Sequence, residues 1–204
     1  MIRCIPATDA TTIVLLTLPN ILTWMRILAI PLVVVLFYLP YSWADPAAGL
    51  LFGAAGITDA FDGYFARKLG QTSRLGAFLD PVADKLIVAV ALVLIVSKGH
   101  DNAIVNVIIV VMAAIIIGRE IAISALREWM AEIGARTKVA VSQLGKYKTI
   151  LQIVGLSLML FRWDLLGLPM YNLGLVCTIV AAALTLWSAA VYLRAAWPEL
   201  RGAA

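Results

Sequence analysis

Two cysteines and one histidine are all that this chain of 204 residues holds of the softer metal ligands. Cys4 and Cys177 stand far apart in apolar surroundings and give neither a disulfide framework nor a metal-binding spacing. His100 lies in the polar stretch SKGHDN and reads as a solvated loop residue. A zinc centre, a thiol redox motif and a histidine base are therefore set aside. Charge is scarce as well. Only 14% of residues are charged and 63% are hydrophobic, whereas a soluble domain carries about 25% charged residues. Mean hydropathy is +0.97. This composition excludes a soluble or disordered chain and indicates an all-α integral membrane protein. The net charge of +4 does not suggest a nucleic-acid partner, because no basic face is free of the membrane. No internal repeat, heptad seam or low-complexity tract is present.

What is abundant is apolar sequence, broken by short polar or Pro/Gly stretches. The breaks LPYSWADP, RKLGQTSRLG, SKGHDN, MAEIGARTK and RWDLLGLP separate six apolar runs. These predict a bundle of six transmembrane helices near Thr23–Leu39, Pro46–Ala66, Val82–Ser97, Ala103–Leu126, Val141–Phe161 and Tyr171–Ala195. The earlier run TTIVLLTLP is too short to span, so residues 1–18 are expected to form an interfacial segment ahead of a membrane domain over 19–204. Lys98 and Arg162 fall on one side of such a bundle. Fourteen basic residues fall on the other, among them Arg3, Arg26, Arg67, Lys68, Arg136 and Arg201. The richer side faces the cytoplasm, together with both termini. Trp43, Trp163 and Trp187 read as interface anchors.

Four acids interrupt this pattern. Asp59, Asp62, Gly63 and Ala66 recur at i, i+3, i+4 and i+7 and share one face of the second helix. Gly76, Asp80 and Asp84 follow at i, i+4 and i+8 on the third, beyond a nine-residue link from Lys68 to Gly76. Both acidic faces thus lie at one depth, near the cytoplasmic surface. Four intramembrane aspartates cost on the order of 10 kcal/mol to insert, so something must offset them. An oxygen-only donor set selects a hard divalent cation, Mg²⁺, Mn²⁺ or Ca²⁺. A pair of such ions suits chemistry at phosphorus.

Asp59, Asp62, Gly63, Ala66, Arg67, Gly76, Asp80 and Asp84, at this spacing, resemble the signature of the CDP-alcohol phosphotransferases. Three further stretches, PNILTWMRI, GREIAISALREWMAEIG and GKYKT, are similar to the bacterial phosphatidylglycerophosphate synthase branch of that family. The resemblance covers most of residues 19–195. It implies transfer of a phosphatidyl group from CDP-diacylglycerol to glycerol 3-phosphate, with release of CMP, by a homodimer in the inner membrane. It implies that Asp59, Asp62, Asp80 and Asp84 hold two divalent cations, Mg²⁺ or Mn²⁺, with Asp84 also the base. It assigns Asn20, Ile21, Leu22, Thr23, Gly63, Arg67 and Ser73 to CDP-diacylglycerol.

The phosphate of the acceptor requires cations, and Arg119, Arg127, Lys146 and Lys148 stand at cytoplasmic helix ends. Arg119 is the best placed of these, directly after the apolar run VVMAAIIIG. Glu120 and Glu128 are alternative partners for the same cations. Two rival readings stay open. One is the same chemistry on another acceptor, as in a cardiolipin-synthase-like enzyme or with inositol phosphate or serine. The other is a cation transporter, against which stand the basic rim and the lack of repeat symmetry.

Overall fold

The structure is a computed structural model. It describes the backbone of residues 18–69, 74–134 and 144–202, and their side chains except at 18–20, 59–69, 74–78, 144–146, 199–200 and 202. Six helices account for nearly all of it: α1 Leu18–Tyr38, α2 Ala44–Leu69, α3 Arg74–Lys98, α4 Ala103–Glu132, α5 Leu144–Phe161 and α6 Met170–Gly202. No strand occurs among the described residues. Among the described residues, three of the helices are long and apolar enough to cross a membrane, over Ile21–Tyr38, Ala103–Glu132 and Met170–Pro198. The molecule is a helical membrane protein.

Local chemistry sets the helix ends. Gly99, at φ 66°, closes α3, and its N–H reaches the carbonyls of Ile95 and Val96 at 3.3 and 3.2 Å. A positive φ at that position favours glycine, as in the common left-handed C-terminal cap. Three residues on, the Asn102 side chain accepts from the Ile104 and Val105 amides and caps α4. The α3–α4 corner is therefore encoded in four residues, and His100 is part of it. Its Nδ1 accepts from the Asn102 amide at 3.0 Å, in keeping with a loop role.

Burial is distributed as lipid demands. Leu28, Leu50, Val93, Ile104, Val107 and Val176 are each more than half exposed, a surface that would be costly in water. Polar groups turn inward instead: Thr23, Arg26, Lys148, Gln152, Thr178, Thr185 and Ser188 are all buried. Between them lies an apolar core that includes Val33, Phe52, Leu92, Ile109, Ile116 and Leu156. The most extensive helix pairing is α5 with α6. It rests on glycine: a Cβ built on Gly174 would stand 2.6 Å from the Gly155 carbonyl oxygen, so the two backbones touch.

The helices are longer than the apolar runs suggest. α3 begins at Arg74, not Val82, and continues through Pro81. The connection from α2 is therefore residues 70–73, four residues and not nine, and Gly76 lies inside the helix. α4 runs past Leu126 to Glu132, and α6 past Ala195 to Gly202. The physical reason is common to all three. Hydropathy marks where lipid ends, whereas Arg, Lys, Glu, Met and Ala continue a helix readily beyond that point. α5 is described from Leu144, and residues 141–143 of the expected span lie outside the described residues. Residues 1–17, which hold nearly all of the expected interfacial segment, lie outside the described residues.

Candidate active site

α1 and α3 run side by side in the same direction, and their polar residues meet in register. Thr23 Oγ1 donates to Asp80 Oδ1, and Arg26 Nη1 lies 2.5 Å from Asp84 Oδ1. A spacing of three on α1 is matched by a spacing of four on α3, which places both acids on the side of α3 that faces α1. Arg26 is 2% exposed. A guanidinium so enclosed needs an opposing charge, and the Asp84 carboxylate supplies it. The Asp84 side chain itself remains 43% exposed, so it faces open space as well as Arg26.

That open space is a cavity of about 270 Å³. Asp84 and Lys85 of α3, Arg119, Glu120 and Arg127 of α4, and Lys148 of α5 line it. Four cations against two acids give it a positive balance suited to a phosphate. Its volume lies just below the range of about 300–1,000 Å³ that holds drug-sized ligands, so a small polar molecule is the natural occupant. The charges are connected. Glu120 Oε1 receives Lys148 Nζ at 2.5 Å and Arg119 Nη1 at 2.9 Å. Arg119 Nη2 donates to Ser188 Oγ on α6 at 2.6 Å, and Arg127 Nη2 to Tyr192 Oη at 3.0 Å. The Arg119 Nε is buried and finds no hydrogen-bond partner among the described residues. A smaller cavity of about 60 Å³, lined by Arg26, Phe52 and Gly56 among others, shares Asp84, Val88, Thr149 and Gln152 with the larger one. The two cavities meet at Asp84.

Of the residues singled out from sequence, Arg119, Arg127 and Lys148 come together on one wall, and Asp80 and Asp84 on the neighbouring helix. Thr23 joins Asp80 directly, while Ile21 is partly exposed and Leu22 half-buried on α1. Asn20, Asp59, Asp62, Gly63, Arg67 and Lys146 lie on described helical backbone, but their side chains fall outside the described set, and Ser73 falls outside it altogether. No group of three metal-binding side chains gathers among the described residues. Asp80 and Asp84 are the two described acids that could join such a group. They stand one turn apart and present carboxylate oxygens only, a donor chemistry that fits a hard dication.

Sequence reasoning used Arg26 only as an orientation marker and left Tyr192 unassigned. Arg26 offers only a faint signal, an ionisable residue in an apolar helix one turn from Thr23, because its place near the start of the span also suits a topology marker. Ser188 carried none. A serine in a membrane helix ordinarily bonds back to its own backbone, and this one does, to the Thr185 carbonyl at 3.0 Å.

Residues 16–189 match the family model described as CDP-alcohol phosphatidyltransferase. A protein of Salmonella choleraesuis named CDP-diacylglycerol–glycerol-3-phosphate 3-phosphatidyltransferase is 48% identical over 183 residues, covering 90% of this chain and 96% of its own length. Proteins of the same name from Shigella flexneri serotype 5b and Escherichia coli K12 are also 48% identical over 183 residues, with the same coverage. The matched segment contains both cavities and all four signature acids, and the chain belongs to the CDP-alcohol phosphatidyltransferase family.

Proposed function

We propose that this protein transfers the phosphatidyl group of CDP-diacylglycerol to glycerol 3-phosphate, yielding phosphatidylglycerophosphate and CMP in phospholipid synthesis. The observation that carries the acceptor assignment is the cavity that sets Asp84 beside Arg119, Arg127 and Lys148. Family membership and the names of its 48%-identical relatives support the donor and the product.

The chain's own groups divide the reaction between them. Arg119, Arg127, Lys146 and Lys148 hold the phosphate of the acceptor and leave its free primary hydroxyl toward Asp84. Asp84 accepts the hydroxyl proton as the oxygen bonds to the phosphatidyl phosphorus, and the bond from that phosphorus to the CMP oxygen breaks. Arg26 orients the Asp84 carboxylate from α1. Arg67 offsets charge on the departing CMP, and Asn20, Ile21, Leu22, Thr23, Gly63 and Ser73 surround the nucleotide portion of the donor. Asp59, Asp62, Asp80 and Asp84 would hold two divalent cations, Mg²⁺ or Mn²⁺, which when bound supply electrostatic stabilisation of the phosphoryl oxygens and acidify the attacking hydroxyl. The six helices all span the inner membrane of the cell, with termini and active site cytoplasmic, residues 1–18 lie in its surface, and the working unit is a homodimer.

Purified protein should release CMP from CDP-diacylglycerol only when glycerol 3-phosphate and Mg²⁺ or Mn²⁺ are both present. Equal turnover with serine, inositol phosphate or phosphatidylglycerol as acceptor would refute the choice of acceptor. Full activity in the presence of excess chelator would refute the metal requirement.

A further inference from the structure

Among the described residues, α6 contributes none to the lining of the charged cavity, yet it holds two of the cavity's guanidinium groups from behind. Ser188 and Tyr192 stand one turn apart on α6 and face Arg119 and Arg127, which stand two turns apart on α4. Both hydroxyl-bearing residues are buried, at 6% and 7% exposure. The Ser188 hydroxyl has a fixed polarity. Its single proton goes to the Thr185 carbonyl, so its lone pairs are what Arg119 Nη2 meets. Tyr192 adds its ring face, 5.2 Å below the Arg127 guanidinium carbon, to the hydrogen bond at its oxygen.

The consequence for Arg119 is a defined orientation. One terminal nitrogen is held by Glu120 and the other by Ser188, while its buried Nε is without a partner among the described residues. The arm is enclosed as well, its side chain 10% exposed. Glu120 ties the same guanidinium to Lys148, so an orientation imposed at Ser188 passes to a cation on a third helix.

We infer that Ser188 and Tyr192 are positioning residues of α6 that fix the Arg119 and Arg127 guanidinium groups for the acceptor's phosphate. The inference rests on the proposed reaction. It concerns affinity for the phosphorylated acceptor and not the chemical step, since neither hydroxyl reaches the cavity.

Steady-state kinetics on the purified, full-length protein test it with both substrates varied. Ser188→Ala is expected to raise KM for glycerol 3-phosphate about tenfold, as the loss of one hydrogen bond to a charged group would. Its kcat at saturating acceptor and its KM for CDP-diacylglycerol should stay within about twofold of wild type. Ser188→Thr, which keeps the hydroxyl, should recover most of the lost affinity. Tyr192→Phe keeps the ring and should raise the same KM by a smaller factor, a readout that stands if Ser188→Ala folds poorly. An unchanged KM for glycerol 3-phosphate in both Ser188→Ala and Tyr192→Phe would overturn the inference. A fall in kcat with every KM unchanged would overturn it too. A wild type that ignores glycerol 3-phosphate would sink the acceptor assignment and this inference together. A wild type that uses it, beside two variants with unaltered KM, would sink the inference alone.

Discussion

Arg26 and Asp84 carry opposite charges in unequal surroundings, and the inequality has measurable effects. The guanidinium is 2% exposed, whereas the carboxylate side chain is 43% exposed. Removing the carboxylate takes one opposing charge from a buried cation. Removing the cation leaves an acid that solvent can still reach. Asp84→Asn should therefore lower the unfolding midpoint in detergent more than Arg26→Leu does, with losses of about 3 and about 1 kcal/mol respectively. The opposite order would mean that Asp84 is the more enclosed partner. In catalysis, Asp84→Asn should reduce kcat by roughly 10³-fold, within the range for a lost general base, while CMP binding largely survives. Normal turnover in that variant would refute the role assigned to it. Sequence made Asp84 legible because four acids at helical spacing in an apolar chain demand an explanation. It left Arg26 obscure because a lone arginine near the start of a span is ordinarily a topology marker. The distinguishing fact is contact with an acid 58 residues away, and no local pattern encodes that.

Among the helices, α5 and α6 are the pair in which backbone shape decides most. Gly174 offers its Cα hydrogen to the Gly155 carbonyl, and a methyl group there would lie 2.6 Å from that oxygen and 2.9 Å from the Leu158 Cβ. Neither neighbour is the free end of a flexible side chain. Gly174→Ala should cost about 1–3 kcal/mol by forcing the helices apart. Gly118, on α4, has nothing within 4 Å of where its Cβ would be. Gly118→Ala should be neutral or gain up to about 1 kcal/mol from helix propensity. Thermal unfolding of the two variants against wild type checks the contrast, and equal shifts would deny the close crossing. The existence and order of all six helices were readable from hydropathy and punctuation. Their lengths were not, since the boundary of lipid and the end of a helix are set by different forces. The α2–α3 connection shows it most clearly: of the nine residues from Lys68 to Gly76 that read as a link, five are helical.

Across the whole molecule, the two basic residues on the proposed outer face are both engaged locally. Lys98 Nζ contacts the Asp45 carboxylate at 2.8 and 3.1 Å, and the Arg162 guanidinium lies over the Tyr171 ring at 5.5 Å. The remaining cations are expected on the opposite side. Orientation can be read directly by thiol labelling in intact cells, after Cys4 and Cys177 are replaced by serine. A cysteine at Asp101, in the α3–α4 corner, should react with an impermeant maleimide from outside. A cysteine at Ile133, beyond the end of α4, should react only after the membrane is opened. The reverse pattern would invert the assignment of sides.

The charged cavity is walled by side chains of α3, α4 and α5 and braced from α6, so its two guanidinium groups are fully held only once α6 has docked. Occupancy and docking are then one equilibrium approached from two ends. A small anion that fits the pocket acts as a clamp on the whole stack. At one hundred times its dissociation constant it should add about 2.7 kcal/mol to the folded state by mass action. Glycerol 3-phosphate should thus delay heat unfolding in detergent, even with no nucleotide lipid to react with.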